Sequence, residues 1–334
     1  MLLSPSASTS PSPLPLHDWL SAMSPLLSER RARPADLAHD LVAQGGSWNP
    51  RSGPLAVAGR MAETARLDLT LACAMTHHVR AALMLDVCGA GAVVNGTLLW
   101  GMLGTGACAR PGEGWTVSGS LDTCCLPPGQ SLTYVVLEHE RGHVLTVPVD
   151  DADQRRSVVV SGSAPDGRAR IDFEAAPARM QGPVTDATLT QVEAFGRVIE
   201  AAAWYGALTS LADALVASLQ VATIDKKRLR TSVAEVDALL SASWAAIRDA
   251  VAVWERGPNA AATLVHHVAR ARTLTRVAAT TVLFAYTALE DSAARGDGPS
   301  PQLREDLARW MGRADLDADS AVVAEAVLAE GPSW

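Results

Sequence analysis

Apolar side chains recur every three or four positions in the first and last parts of this chain, and every second position in between. Leu16–Leu27 and Pro34–Gln44 carry the helical spacing, with Pro34 and Asp36 as a start signal and Gly45-Gly46 as a stop. From Ala56 to about Ala92, the positions Met61, Ala65, Leu69, Ala72, Leu83, Leu85 and Val87 predict two more helices, the second closing at Gly89 and Gly91. The period then shortens. Gly114–Gly119, Leu132–Leu137, Val144–Val149, Ser157–Val160 and Arg168–Phe173 are β-branched or aromatic runs between Gly, Pro, Asp and Arg-Gly turns, the signature of a small antiparallel sandwich or barrel. Helix formers return from Thr188, in the long stretches Leu189–Gln220, Arg228–Arg256 and Asn259–Arg295 and the shorter Gln302–Met311. Gly257-Pro258 and Gly296–Pro301 separate them. Leu208, Leu211, Leu215 and Leu219 show that each long helix has a face to bury.

The predicted architecture is an α+β multidomain chain. It comprises a disordered tail over 1–15, an N-terminal helical domain over 16–95, a small antiparallel β domain over 96–182 and an antiparallel four-helix bundle over 183–334. Many bundle faces are Ala-rich, which allows close helix approach and leaves room for a partner protomer.

Composition narrows the function. At 334 residues the chain can bury two or three cores without metal or disulfide staples. Its formal net charge is −8, from 36 acidic and 28 basic residues, and the basic residues are scattered, so nucleic acid is not an expected partner. Cys73, Cys88, Cys108, Cys124 and Cys125 show no paired spacing and read as reduced thiols of a cytoplasmic protein. Met1–Pro15 has Ser and Pro where a secretion signal has basic and then apolar residues, so export is not expected. Val277–Leu289 is the longest clean apolar run, but its 13 residues fall short of the roughly 20 that span a membrane, and it reads as a buried helix.

Several local patterns carry less than their spelling implies. His139-Glu-Arg-Gly-His143 matches the helical zinc-protease motif, yet it lies between two strand runs with Gly142 at the turn, so a hairpin tip is expected and no metal. Gly104-Thr-Gly-Ala-Cys-Ala109 spells a dinucleotide fingerprint, but Arg110-Pro111-Gly112 follows where a helix must open, so a strand or turn is expected. His77-His78 and His266-His267 are adjacent on helices and point about 100° apart, so each pair is expected to hold one buried and one exposed ring. Cys124-Cys125 alternates across a strand, with one thiol expected in the core and one facing the bundle.

The order helices, β domain, helical bundle resembles the acyl-CoA dehydrogenases, and the middle of the chain matches them in detail. Gly112-Glu-Gly-Trp-Thr-Val-Ser-Gly119, Tyr134-Val-Val-Leu137 and Gly142-His-Val-Leu-Thr-Val-Pro-Val149 are similar to the family's Gly-Asp-Gly-Trp, Val-Val-Leu and Phe-Leu-Val-Pro segments. Ile171-Asp-Phe173 with Pro177 is similar to the strand that leads into the bundle. The resemblance implies FAD and a flavin-dependent oxidation of an acyl thioester carried by CoA or a carrier protein. It also implies a homodimer, or a heteromer with an acyl-CoA dehydrogenase paralogue.

The departures from the family bear on that chemistry. The Thr-Glu-Pro-Gly-Xaa-Gly-Ser-Asp loop is largely missing between Trp100 and Pro111. The Trp-Ile-Thr/Ser segment over the flavin ring falls on Thr123-Cys124-Cys125, leaving Thr123 and Cys125 as the implied ring contacts. The Arg-Xaa-Xaa-Phe-Gly segment that reaches a neighbour's flavin pyrophosphate survives only as Lys226, Lys227 and Arg228. The Tyr-Glu-Gly-Thr stretch that holds the base in many relatives has no counterpart. Glu290 and Asp291 are the nearest carboxylates for removing a proton α to a thioester carbonyl. The alternatives to an active oxidoreductase are a catalytically degenerate subunit paired with an active paralogue, and flavin-independent chemistry in a reused fold.

Overall fold

The computed structural model describes residues 18–20, 22–23, 34–43, 48, 53–90, 98–102, 107–111, 114–123, 132–138, 142–149, 156–163, 168–221, 226–290, 301–311 and 316–330. Residues 18–20 and 22–23 are helical, and helices α1 (Pro34–Ala43), α2 (Pro54–Leu67) and α3 (Leu69–Val87) follow. Asp68 joins the last two. It follows α2 and caps α3, its carboxylate accepting a hydrogen bond from the Leu71 N–H at 2.7 Å. Gly89, at φ 76°, turns the chain out of α3 in the left-handed conformation that favours glycine. Nearly every side of α3 is buried, because it packs on strands along one flank and on a long helix along the other.

Seven strands follow among the described residues: β1 (Leu99–Met102), β2 (Ala107–Pro111), β3 (Trp115–Thr123), β4 (Leu132–Glu138), β5 (His143–Val149), β6 (Val158–Ser163) and β7 (Arg168–Pro183). They form one sheet in the order β1-β4-β5-β7-β3-β2, with β6 also paired to β7. β7 is its spine, pairing with β3 and β6 along its first part and with β5 along its last. The change of partner follows a bulge. Glu174 and Ala175 together face Ser118, and Ala175, at φ 49°, donates its N–H to Ser118 Oγ at 3.2 Å.

The sheet is mixed rather than wholly antiparallel, because β1 runs parallel to β4. β1 was not among the predicted strands, being only four residues long, whereas β2 overlaps the Gly104–Ala109 stretch expected to be strand or turn. β7 runs on to Pro183, well past the predicted end at Phe173, because its pairing with β5 outlasts the β-branched sequence signal.

The last part of the chain holds α4 (Asp186–Val221), α5 (Lys226–Trp254), α6 (Ala261–Glu290), α7 (Pro301–Met311) and α8 (Leu316–Glu330). Among the described residues, three long helices and two short ones stand where four helices were expected, and α8 packs on α6. The run Val277–Leu289, read as a buried helix, is buried on one side only: Val282 is fully buried, whereas Phe284 is 65% exposed. None of the described helices is long and apolar enough to cross a membrane.

Candidate functional site

The residues nominated from the sequence divide between strand and helix ends. Thr123 closes β3, Lys226, Lys227 and Arg228 form the first turn of α5, and Glu290 is the last residue of α6, but their side chains lie outside the described residues. Cys124, Cys125 and Asp291 lie outside them altogether, as does His139. What the backbone does show is that the basic triplet opens a helix. The first N–H groups of a helix have no partner within it and form, with the helix dipole, a site suited to an anionic group.

Glu138 and His143 face each other across the β4–β5 pair, so the last residue of the apparent zinc motif lies in a strand; His139, Glu140 and Arg141 are outside the described residues. His143 instead presents its ring to the edge of Trp115, with centroids 5.5 Å apart. Both rings of His77-His78 are buried, contrary to the expected split, because β1 covers α3 on the side that would otherwise face solvent. His77 Nδ1 lies 3.1 Å from the Gly101 carbonyl, to which it donates, and the ring stacks on Trp100 at 4.4 Å. His78 Nδ1 accepts the Leu99 N–H at 3.2 Å, and burial lowers its pKa from 6.5 to about 4. A side chain at Gly101 would press on the α3 backbone at His77 and Ala81, so glycine permits this close approach. His266 and His267 are both half-buried, with ring centroids 5.7 Å apart.

A buried polar group that none of the nominated residues joins links four helices among the described residues. It runs through the helical layers where α3, α4, α6 and α8 meet. Glu200 on α4 accepts from Arg80 of α3 at 2.9 Å and from Arg272 of α6 at 2.7 Å. Arg272, only 4% exposed, also donates to Asp319 of α8 at 2.6 Å and lies 5.0 Å above the centre of the Trp204 ring. Two cations and two carboxylates balance, so the group tolerates burial that would otherwise cost several kcal/mol per ion. The carboxylate of Glu200 is fully engaged by two guanidinium groups and is not a free base. A signal for it existed: Glu200 is the lone charge in the run Val198–Leu211.

A cavity of about 200 Å³ opens between α4 and α5, lined by Tyr205, Thr209, Asp213, Val236, Asp237 and Leu240 among others. Tyr205 stacks on Trp244 beside it, with ring centroids 5.0 Å apart. None of the nominated residues lines this cavity.

Comparison with known proteins separates sequence from shape. No protein-family model and no curated protein sequence matches the chain. Solved structures do match it, over nearly its full length. KijD3, solved in complex with FMN and dTDP-3-amino-2,3,6-trideoxy-4-keto-3-methyl-D-glucose, is similar at a TM-score of 0.72 and 17% identity, covering 98% of this chain and 96% of its own. Butyryl-CoA dehydrogenase from Megasphaera elsdenii is similar at a TM-score of 0.69 and 13% identity, covering 94% and 96%. The fold is that of the acyl-CoA dehydrogenases. Dibenzothiophene monooxygenase TdsC from Paenibacillus sp. A11-2 shares the acyl-CoA dehydrogenase-like fold, at a TM-score of 0.72 and 12% identity over 94% of this chain and 96% of that one, and it too has been solved with FMN, together with indole. At these identities the likeness is one of architecture. It bears out the helices, sheet and helices read from the sequence.

Proposed function

We propose that this chain is a flavin-dependent oxidoreductase of acyl-CoA dehydrogenase-like fold that binds its flavin as FMN and works as a homodimer or beside a paralogue. The observation that carries the proposal is the whole-length agreement in fold with KijD3, which was solved with FMN. The basic first turn of α5 supports the choice of flavin. One anionic phosphate suits the N–H groups and cations of Lys226, Lys227 and Arg228, whereas the Arg-Xaa-Xaa-Phe-Gly segment expected to meet the FAD pyrophosphate is reduced to that triplet.

In this reading Thr123 and Cys125 border the flavin ring, the triplet holds its phosphate, and Glu290 or Asp291 removes a proton from a substrate such as an acyl thioester. When bound, the flavin supplies the two-electron acceptor. The second reading, a subunit that lends its fold to an active paralogue, is favoured by the engagement of Glu200 between two arginines and by the missing Tyr-Glu-Gly-Thr stretch.

Visible absorbance of the purified chain tests the proposal, with mass spectrometry of the released cofactor to tell FMN from FAD. A yellow protein that releases FMN is the expected result. Replacing Lys226, Lys227 and Arg228 together by Gln should weaken flavin binding about tenfold or more. A colourless chain that takes up neither added flavin sinks the first reading, and colour restored only on co-expression with a paralogue establishes the second.

A further inference from the structure

Tyr205, Thr209, Ala212 and Asp213 line the cavity from α4, and Val236, Asp237, Leu240 and Ser241 line it from α5. Each set keeps the three- and four-residue spacing of a single helix face. Where two helices pack, such faces normally interdigitate and close the space between them. Here a void of about 200 Å³ remains. Its floor is apolar, since Val236 and Leu240 are both buried, and Leu215 beside them is too. One end is walled by the Tyr205 ring, itself backed by Trp244 at 5.0 Å. The mouth carries the charge. Asp213, Asp237 and Ser241 are exposed at its edge, and no lysine or arginine lines it. Arg66 of α2, the cation next to the mouth, is held by Asp213 at 2.6 Å. Asp237 has no such partner among the described residues, so its carboxylate stands uncompensated above an apolar hollow.

We infer that this cavity binds a small organic cation, a primary ammonium group carried on an aryl or short alkyl body. The floor takes the body, and the Asp237 carboxylate accepts the ammonium protons, with the Ser241 and Tyr205 hydroxyls as further acceptors at the rim. Charge selects the class of ligand. An anion of the same shape meets two carboxylates and no free cation, whereas a neutral molecule gains nothing from Asp237. Size sets the body. A cavity of about 150 Å³ is enough for a benzene ring, so one of about 200 Å³ takes a ring with a short arm that brings the ammonium to the mouth. The inference does not rest on the flavin, because none of the residues nominated for it lines the cavity.

Saturation-transfer NMR titration of the full chain with 2-phenylethylammonium, 2-phenylethanol and 3-phenylpropionate, up to about 10 mM each, tests it. For a ligand of about nine non-hydrogen atoms, the ammonium is expected to bind with a dissociation constant of about 0.1–1 mM. The alcohol should bind about threefold or more weaker, and the carboxylate weakest of all. Asp237→Asn replaces an exposed side chain, so its thermal melt should match the wild type while the ammonium falls to the affinity of the alcohol. Ala212→Leu fills the cavity and should abolish binding of both. Ser241→Phe covers the mouth from an exposed position and makes the same test where Ala212→Leu lowers the melt. Equal binding of ammonium and alcohol by the wild type overturns the inference, as does a cation preference that survives Asp237→Asn, or no saturation by any of the three. Binding that persists in both filled variants overturns it by placing the ligand elsewhere.

Discussion

Asp68 and His78 carry opposite proton preferences into the folded state. Burial raises the Asp68 carboxyl from 3.8 to about 6, Asp306 adds to the rise, and the Leu71 and Thr70 N–H groups oppose it. The folded chain thus holds a proton that the unfolded chain releases, so the stabilising share of Asp68 is complete below pH 3.8 and is lost as pH rises through about 6. His78 behaves in the reverse sense. Burial lowers it from 6.5 to about 4, so its share is present above pH 6.5 and is lost as pH falls toward 4. Each contribution is on the order of 3 kcal/mol across its window, and the two largely cancel. Asp68→Asn, which keeps a capping side chain, should therefore make stability climb with pH between about 4 and 6.5, and His78→Gln should make it fall. Urea melts at stepped pH measure both slopes, and profiles parallel to the wild type would refute the assignment.

Between helices, the buried ion network and one close backbone contact hold the layers in place. Arg272→Met leaves Asp319 buried without its cation and Glu200 with Arg80 alone, an expected loss of about 3–5 kcal/mol. Hydrogen exchange should localise that loss, with the amides of α8 exchanging faster than those of α5, since Asp319 anchors α8 to α6. Equal acceleration in both helices would show that the network does not anchor α8 in particular. Gly206 on α4 lies against Ala62 of α2, and a Cβ there would overlap the Ala62 carbonyl. Because backbone cannot give way as a side chain can, Gly206→Ala should lower stability by about 1–3 kcal/mol or more in a denaturant melt. An unchanged midpoint would mean that the two helices separate freely.

Across the whole molecule, α3 is the shared wall. His77 and His78 tie it to β1, and Arg80, two positions on, ties it to α4. Sheet and helical layers should then unfold together, giving one calorimetric transition whose calorimetric and van 't Hoff enthalpies agree. Two resolved transitions would show that the α3 contacts do not couple them. The same arrangement explains why no single segment of the chain reveals a site. Thr123, the triplet Lys226, Lys227 and Arg228, and Glu290, which the family resemblance nominates, stand at the ends of β3, α5 and α6, far apart in sequence.

Local pattern determined the order of elements: the helical period before and after a stretch of period two, the stop at Gly89, the hairpin at Gly142, and the break at Gly257-Pro258. These follow from side-chain spacing and from backbone chemistry that acts within a few residues. Tertiary structure alone decided that β1 lies parallel to β4, that β7 runs on to Pro183, and that both His77 and His78 are buried. It also decided that Glu200 meets Arg80, 120 residues earlier, and Arg272, 72 residues later. Those outcomes depend on which surfaces remain to be covered once the helices and strands have formed, and sequence spacing holds no record of partners so far apart. The exposure of Phe284 is of the same kind: an apolar run predicts burial, and only packing shows that one side of it is left open.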